Sequence, residues 1–237
     1  MIQVNNIKKS YGPVTVLNIK QLNIGKGEVV GLVGNNGAGK TTFFRSVLDL
    51  ILPDTGEVKL NGQLVKGDDS WKSFTGSYLD EGFLIDYLSP EEYFEFIGKL
   101  RGLNKADLEE FLAQFEDIFN GEVLGTGKYI RNLSKGNQKK VGIIGALIGN
   151  PELLILDEPF ANLDPSTQIR LKKLLQNQKA EKGITMFISS HDLSHVTEVC
   201  DRIVLLEKGE VVKDAHKDEN TLKELEAFFG KDEALTE

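Results

Sequence analysis

Several kinds of residue and segment are scarce in this chain of 237 residues, and each scarcity excludes a class of protein. With one cysteine, Cys200, no internal disulfide is possible, which is typical of a protein kept in a reducing compartment. The first residues, MIQVNNIKKSYG, contain no apolar stretch of the kind found in a secretory signal. No run approaches the ~20 apolar residues of a membrane span. We therefore expect a soluble or peripheral protein, and any membrane crossing would belong to another polypeptide.

Acidic residues outnumber basic ones, and the formal net charge is −8. This balance argues against a nucleic-acid-binding surface, because such surfaces carry clustered Lys and Arg. The sequence shows no internal repeat, no low-complexity segment, no heptad array and no basic arm. Its apolar and charged fractions, 40% and 27%, are those of a globular protein. We expect residues 1–237 to form a single domain that includes one subdomain.

A glycine-rich loop is the most informative stretch. Residues 29–44 read VVGLVGNNGAGKTTFF, in which a short apolar run leads through a turn into a helical pattern. The spacing fits the phosphate-binding pattern GxxxxGK[ST], and glycine lets successive backbone N–H groups face an anion at a helix N-terminus. We expect Lys40 to contact the β- and γ-phosphates of a nucleotide and Thr41 to give its hydroxyl to Mg²⁺. The predicted nucleotide-binding residues of this loop are Gly34, Asn35, Asn36, Gly37, Ala38, Gly39, Lys40, Thr41 and Thr42.

Two acidic residues follow an apolar run further along the chain. Residues 153–157 read LLILD, which is typical of a parallel strand buried on both faces. Asp157 lies at the carboxyl end of this run, where ligands bind in open α/β sheets, and we expect it to share Mg²⁺ with Thr41. Glu158 follows and is placed to position or deprotonate an attacking water. His191 follows another apolar run and is a candidate contact of the γ-phosphate.

The chain between these motifs has a helical pattern, whereas the chain before it favours β-hairpins. Asn61-Gly62 suits a type I′ hairpin turn. Ser89-Pro90-Glu91-Glu92 combines an N-cap serine, a proline at the first helical position and a capping-box glutamate, and Asn104 is placed to cap the next helix. We expect residues ~84–150 to form a helical insert whose aromatic side chains lie in the core. A C-terminal helix is predicted from the spacing of Leu222, Leu225, Phe228 and Phe229.

These motifs resemble those of the ATP-binding subunit of an ABC transporter, and the resemblance covers nearly the whole chain. Residues 34–42 match the family's Walker A motif, and residues 153–158 match its Walker B motif with the catalytic glutamate. Residues 133–137, LSKGN, resemble the signature motif LSGGQ, and residues 161–164, ANLD, resemble the D-loop. Together with an aromatic residue and a histidine described next, six motifs occur in the family's order.

The resemblance also assigns roles to single residues and a fold to the chain. Tyr11 matches the aromatic residue that stacks on adenine, and His191 matches the switch histidine. Lys40, Glu158 and His191 would be the catalytic residues of an ATPase with ATP and Mg²⁺ as cofactors. The implied fold is α/β: a P-loop NTPase core with a mixed sheet, an N-terminal antiparallel β-subdomain and a helical insert.

The family's mechanism requires partners. Two ATP-binding domains, identical or different, would pack head to tail, so that each ATP lies between the Walker motifs of one and the signature motif of the other. Ser134 and the backbone N–H of Gly136 would then contact the γ-phosphate across the interface. Hydrolysis would separate the domains, and the segment before the helical insert would transmit this motion to integral membrane transporter subunits. The resemblance thus implies a cytoplasmic protein bound peripherally at the cytoplasmic face of the membrane.

The sequence departs from the family pattern at two motifs. The family has a glutamine after the strand predicted at residues 74–79; here Glu81 is the first choice for that position and Asp80 the second. A carboxylate can still serve nucleotide-bound Mg²⁺ or water through oxygen, so Glu81 is predicted as a nucleotide and metal ligand. In the signature motif, Lys135 replaces a glycine and Asn137 replaces the glutamine. Such variants resemble those of exporter-type subunits, although the sequence does not establish the direction of transport or the cargo.

Two alternative functions remain open. One is an ABC-type ATPase that acts on DNA or ribosomes instead of a transporter, although such relatives usually carry long coiled coils or two ATP-binding halves. The other is a nucleotide-gated binding module with little turnover, which the presence of Glu158 argues against. The absence of a basic arm and the negative net charge lead us to expect no nucleic-acid partner.

Overall fold

The structure, a computed structural model, describes residues 1–218 and 223–225. Its strands are β1 (Ile2–Tyr11), β2 (Val14–Ile24), β3 (Val29–Val33), β4 (Thr55–Leu60), β5 (Gln63–Leu64), β6 (Thr75–Tyr78), β7 (Leu153–Leu156), β8 (Thr185–Ser190), β9 (Arg202–Glu207) and β10 (Glu210–His216). Its helices are α1 (Lys40–Val47), α2 (Pro90–Leu100), α3 (Lys105–Ala113), α4 (Glu116–Phe119), α5 (Lys135–Leu147), α6 (Pro165–Lys182) and α7 (Leu193–Val199). Of the predicted C-terminal helix, the structure describes residues 223–225, which are helical and include the buried Leu225; Leu222, Phe228 and Phe229 lie outside the described residues.

The N-terminal hairpins form an antiparallel sheet in the order β2-β1-β4-β5. In β1 the buried residues Ile2 and Val4 alternate with polar ones, because successive side chains of a strand point to opposite faces. The register shifts near Asn6, whose φ is 49°, and Ile7 packs in the same core as Ile2 and Val4. Asn61 and Gly62 connect β4 to β5 with φ angles of 51° and 83°. Both angles are positive, as a type I′ turn requires, so the predicted hairpin is confirmed.

A second sheet lies in the order β10-β9-β3-β8-β7-β6. The strands from β9 to β6 are parallel, and β10 runs antiparallel to β9, which confirms the predicted mixed sheet. Every residue of β3 and β7 is buried. Along β3 the side chains alternate between two cores: Val29 and Val33 face one, and Val30 and Leu32 face the other.

The two cores lie on opposite faces of the second sheet and are enclosed by different elements. One core lies between the second sheet and the helices α2 to α7, and the other lies between that sheet, α1 and the N-terminal sheet. Capping boxes form as predicted at the starts of α2 and α3: Ser89 with Glu92, and Asn104 with Asp107. In the part of the chain that the structure describes, no helix is long and apolar enough to cross a bilayer.

The strand order fixes where the predicted motifs meet. In a parallel sheet the carboxyl ends of neighbouring strands share one edge. The glycine-rich loop follows β3, His191 follows β8, Asp157 and Glu158 follow β7, and Glu81 lies shortly after β6. Four segments that are far apart in sequence therefore come together at the carboxyl edge of the sheet.

Candidate active site

The glycine-rich loop joins β3 to α1 and surrounds Lys40, which is only 6% exposed. The Lys40 ammonium donates to the carbonyl of Gly34 at 2.6 Å. Two positions of the loop require glycine: Gly39 has a φ of 107°, and a Cβ on Gly34 would lie 2.3 Å from the carbonyl oxygen of Leu206. The loop therefore wraps tightly around one cationic group at the start of a helix.

Asp157 lies directly after β7 and is 4% exposed. Its carboxylate accepts hydrogen bonds from the Thr41 hydroxyl at 2.6 Å and from the Ser189 hydroxyl. Burial raises the pKa of Asp157, and these two hydrogen bonds oppose that rise. Thr41 and Asp157, predicted to share a metal ion, thus present adjacent oxygen atoms beside the loop.

Glu158 contacts the other two predicted catalytic residues. One carboxylate oxygen lies 3.3 Å from the Lys40 ammonium, and the other lies 2.8 Å from Nδ1 of His191. The backbone of Glu158 has a φ of 48°, a left-handed conformation that is uncommon for residues other than glycine and asparagine. Glu158 therefore contacts both Lys40 and His191, and its backbone is held in a strained conformation.

Two residues that the sequence analysis did not select support this geometry. The Ser189 hydroxyl, besides donating to Asp157, accepts from the backbone N–H of Glu158 at 2.9 Å. Lys139 on α5 donates to the backbone carbonyls of Glu158 and Ala161, both at 2.8 Å. Two signals could have identified these residues. Ser189 lies at a strand end close to His191, and Lys139 is a charged residue on the buried face of a helix.

Glu81 lies in a 3₁₀ turn after β6 and accepts a hydrogen bond from the Tyr78 hydroxyl at 2.8 Å. Asp80, the second choice for this position, instead caps the turn by accepting from the backbone N–H of Gly82 at 2.7 Å. Burial lowers the pKa of Lys139, and the carboxylates of Glu81, Glu158 and Asp157 oppose that effect. The charge of Glu81 therefore acts on Lys139 together with those of the two carboxylates that follow β7.

Tyr11 ends β1 at the tip of the first hairpin, where its side chain is 54% exposed. The Lys9 ammonium lies 5.5 Å from the centre of its ring. The same hairpin runs beside the glycine-rich loop, since a Cβ on Gly39 would lie 2.8 Å from the carbonyl of Val16. An exposed aromatic ring is therefore available on a hairpin that borders the loop.

Ser134 and Gly136 lie at the start of α5. The Ser134 side chain caps the helix by accepting from the backbone N–H of Asn137 at 3.2 Å. A Cβ on Gly136 would lie 3.4 Å from the carbonyl of Asn162, so this turn of the helix packs against the segment after Glu158. Gly136 therefore lies beside the segment that resembles the D-loop, and Ser134 caps the same helix two residues earlier.

Comparison with known proteins identifies the family. A family model described as ABC transporter matches residues 17–161. The chain belongs to the ABC transporter family. It is similar to an uncharacterized ABC transporter ATP-binding protein of Bacillus subtilis, with 33% identity over 98% of this chain and 74% of the relative. It is also similar to the bacitracin transport ATP-binding protein of Enterococcus faecalis, with 34% identity over 98% of this chain and 76% of the relative.

Solved structures extend this comparison to the fold. A dimeric ATP-binding cassette in a post-hydrolysis state, bound to ADP and Pi, matches with a TM-score of 0.79 and 25% identity, over 91% of this chain and 98% of that one. The ATP-binding subunit of an ABC transporter matches with a TM-score of 0.80 and 28% identity, over 92% and 91% of the two chains. These matches confirm the predicted family and the predicted α/β P-loop architecture.

Proposed function

We propose that this chain binds Mg-ATP, hydrolyses it, and so powers transport through membrane subunits made by other polypeptides. The observation that carries the proposal is the contact network at the carboxyl edge of the sheet. Lys40 and His191 both contact the Glu158 carboxylate, while Thr41 contacts Asp157. Phosphoryl transfer to water requires a phosphate clamp, a metal anchor and a group that positions the water, and this network contains one residue for each.

Lys40 is the phosphate clamp of the proposed mechanism. Its ammonium lies in the concave side of the glycine-rich loop, where it contacts the Gly34 carbonyl and the Glu158 carboxylate. The phosphates of bound ATP would replace the Glu158 carboxylate as the anionic partner of the Lys40 ammonium. The backbone N–H groups of the loop and of the N-terminus of α1 would bind the same phosphate oxygens. Tyr11, on the hairpin that borders the loop, would stack on the adenine.

Thr41 and Asp157 fit a Mg²⁺ site because a hydroxyl and a carboxylate oxygen lie 2.6 Å apart beside the phosphate loop. Magnesium is usually held by one or two such protein oxygens together with substrate phosphates and water, so a larger set of protein ligands is not required. The bound ion would neutralise the charge of the phosphate oxygens. Glu81 would supply a further oxygen, directly or through water, from the segment after β6.

Glu158 is the proposed general base. Its carboxylate would accept a proton from the attacking water, which raises the nucleophilicity of that water. Two groups fix its position: the Ser189 hydroxyl at its backbone N–H and His191 at its side chain. His191 is half-exposed, and from this position it can also donate to the γ-phosphate.

The second half of each ATP site would come from another ATP-binding domain. Ser134 and Gly136, at the N-terminus of α5, would contact the γ-phosphate held by a partner. A dimeric relative bound to ADP and Pi supports this arrangement, because it is a two-subunit cassette that has hydrolysed its nucleotide. The proposal applies equally to a homodimer and to a heterodimer.

A groove between β6, α2 and α5 is the proposed binding site for a membrane subunit. Its volume is about 470 Å³, and its walls include Tyr93, Ile97 and Gly145. Trp71 and Leu100 also line this groove. Because its walls carry several apolar and aromatic side chains, an apolar segment of another polypeptide fits this groove.

Transport is favoured over the alternative of a nucleic-acid or ribosome ATPase by the names of several relatives. These include the bacitracin transport protein and the lantibiotic transport ATP-binding protein of Streptococcus pyogenes, which is 32% identical over 92% of both chains. We therefore propose that this chain acts at the cytoplasmic face of a membrane. Co-purification with a membrane protein supports that placement, whereas co-purification with nucleic acid or ribosomes contradicts it.

The Glu158→Gln variant tests the mechanism. Glutamine keeps the size and hydrogen bonding of the side chain but removes the base, so we expect hydrolysis to fall by roughly 10²–10⁴-fold. ATP binding through Lys40, Thr41 and Asp157 should persist, and a stable ATP-dependent dimer should accumulate because hydrolysis no longer separates it. Light scattering after size-exclusion chromatography, with and without Mg-ATP and at high protein concentration, measures the dimer.

The matched control adds Ser134→Arg to the Glu158→Gln background. The arginine would place bulk and charge where the partner's γ-phosphate must lie, so this variant should bind ATP but remain monomeric. A Glu158→Gln protein that stays monomeric at saturating ATP contradicts the head-to-tail arrangement. A dimer that forms equally well with Ser134→Arg contradicts it as well.

A further inference from the structure

Lys139 is a buried cation to which the proposed mechanism assigns no role. Its side chain lies on α5 and is 4% exposed. A buried ammonium is unfavourable unless strong hydrogen bonds replace its water shell. Lys139 makes two such bonds, both to backbone carbonyls of a single short segment, at Glu158 and at Ala161. The burial of this charge is therefore tied to the conformation of the segment that carries the proposed base.

That segment holds two residues with positive φ angles, of which Glu158 is the strained one because asparagine adopts this conformation more readily. Glu158 has a φ of 48° and Asn162 has a φ of 61°. A glutamate in the left-handed region is strained and persists only when surrounding contacts hold it. The two Lys139 hydrogen bonds are made to the carbonyl of Glu158 itself and to the carbonyl directly before Asn162. They therefore hold both ends of the stretch with positive φ angles. The Ser189 hydroxyl accepts a hydrogen bond from the backbone N–H of Glu158, so both backbone polar groups of Glu158 are bound.

The two Lys139 hydrogen bonds also connect the segment of Glu158 to the helix that carries the signature motif. Gly136 and Lys139 are three residues apart on α5 and so share one face of the helix. Gly136 approaches the Asn162 carbonyl on the same segment that Lys139 binds. One helix therefore carries both the proposed contact to the partner's ATP and the support of the base for its own ATP.

We propose that Lys139 is a positioning residue for hydrolysis, which holds the backbone of Glu158 so that its carboxylate is aimed at the attacking water. The inference rests on the proposed function, in which Glu158 is the general base. Lys139 does not touch the nucleotide in this scheme. Its removal should therefore lower kcat while leaving the KM for ATP almost unchanged.

The test compares Lys139→Met with Lys140→Met. Lys140 is the next residue of α5, is 5% exposed and pairs with Glu122 at 3.1 Å, so its substitution removes an equally buried ammonium that has no contact with Glu158. We expect Lys139→Met to lower kcat by about 10–100-fold, as misplacement of a reacting group typically does, with the KM within about twofold of the wild-type value. Lys140→Met should keep a kcat within about twofold of wild type.

A double-mutant cycle separates positioning from general structural damage. If Lys139 acts through Glu158, adding Lys139→Met to Glu158→Gln should cause no further loss of rate in single-turnover hydrolysis. An additional loss of about tenfold or more in that background overturns the inference, as does an equal loss of kcat in Lys140→Met. Full activity of Lys139→Met overturns it too.

Lys139→Gln provides the second variant should Lys139→Met fail to fold. The shorter amide can keep one of the two hydrogen bonds, so its kcat should fall between those of the wild type and Lys139→Met, and the same cycle applies. If Glu158→Gln itself retains wild-type hydrolysis, the proposed function fails. If Glu158→Gln is impaired but Lys139→Met adds an independent loss, only the positioning role fails.

Discussion

The carboxyl edge of the second sheet and the helical segment of residues 84–150 are stabilised in different ways. At the edge, the decisive contacts join residues far apart in sequence, such as Thr41 with Asp157 and His191 with Glu158. In the helical segment, the contacts that start α2 and α3 join residues three positions apart, as in the capping box of Ser89 and Glu92. The edge depends on the whole fold, whereas the helices begin with local signals.

Backbone strain follows the same division. Within residues 84–150 every positive φ belongs to a glycine or an asparagine, the residues that adopt this conformation most readily. At the edge, Glu158 adopts a positive φ although its side chain disfavours it. Strain at a residue that contacts Lys40 and His191 is consistent with selection for geometry over stability. We therefore expect substitutions at the edge to affect hydrolysis most and substitutions in the helical segment to affect stability most.

Of the variants that test this contrast between hydrolysis and stability, Lys40→Ala should show the largest effect. The variant loses the cation that we assign to the β- and γ-phosphates, and we expect turnover to fall by about 10³–10⁵-fold, the range found for cationic groups that stabilise a transferring phosphoryl group. The free energy of unfolding without nucleotide should change by no more than about 1–2 kcal/mol, since only contacts within the loop and with Glu158 are lost. Phosphate release and urea unfolding measure the two quantities, and wild-type turnover would exclude Lys40 from the site.

Phe94→Ala should show the opposite pattern. Phe94 on α2 is fully buried, and its ring centre lies 5.8 Å from that of Phe119. Truncation of a buried phenylalanine removes apolar contacts and leaves a cavity, so we expect a loss of about 3–5 kcal/mol in the free energy of unfolding. ATP affinity of the folded variant should stay close to wild type. Phe94→Leu, which fills part of the space, is the control and should lose less stability.

The different origins of the two regions explain what the sequence could predict. The capping boxes at Ser89 and Asn104 were predictable because each depends on residues three positions apart. The groups at the sheet edge were predictable only because their motifs match a known pattern. The contacts of Ser189 and Lys139 were not, since they span 31 and 19 residues of sequence and exist only after β7, β8 and α5 have packed. A single sequence shows residue types at such positions but not which distant backbone groups they meet.

Ser89→Ala should show the smallest effect and tests the claim that α2 begins with a local signal. Ser89 accepts a hydrogen bond from the backbone N–H of Glu92 at 3.2 Å, and the Glu92 carboxylate accepts from the backbone N–H of Ser89 at 2.8 Å. Alanine removes the first of these bonds and leaves an N–H at the helix start to water, so we expect a loss of about 1 kcal/mol in the free energy of unfolding. In a protein of this size that corresponds to a fall in Tm of about 2–4 °C.

Ser89→Asp is the control, because aspartate can still accept from the N–H of Glu92 and should lose much less stability. The kcat should stay unchanged in both variants because neither changes a contact of Lys40, Asp157 or Glu158. Equal destabilisation by alanine and aspartate would mean that packing, and not the cap, fixes the start of α2, and a fall in kcat would show that the two regions are less independent than their contacts indicate.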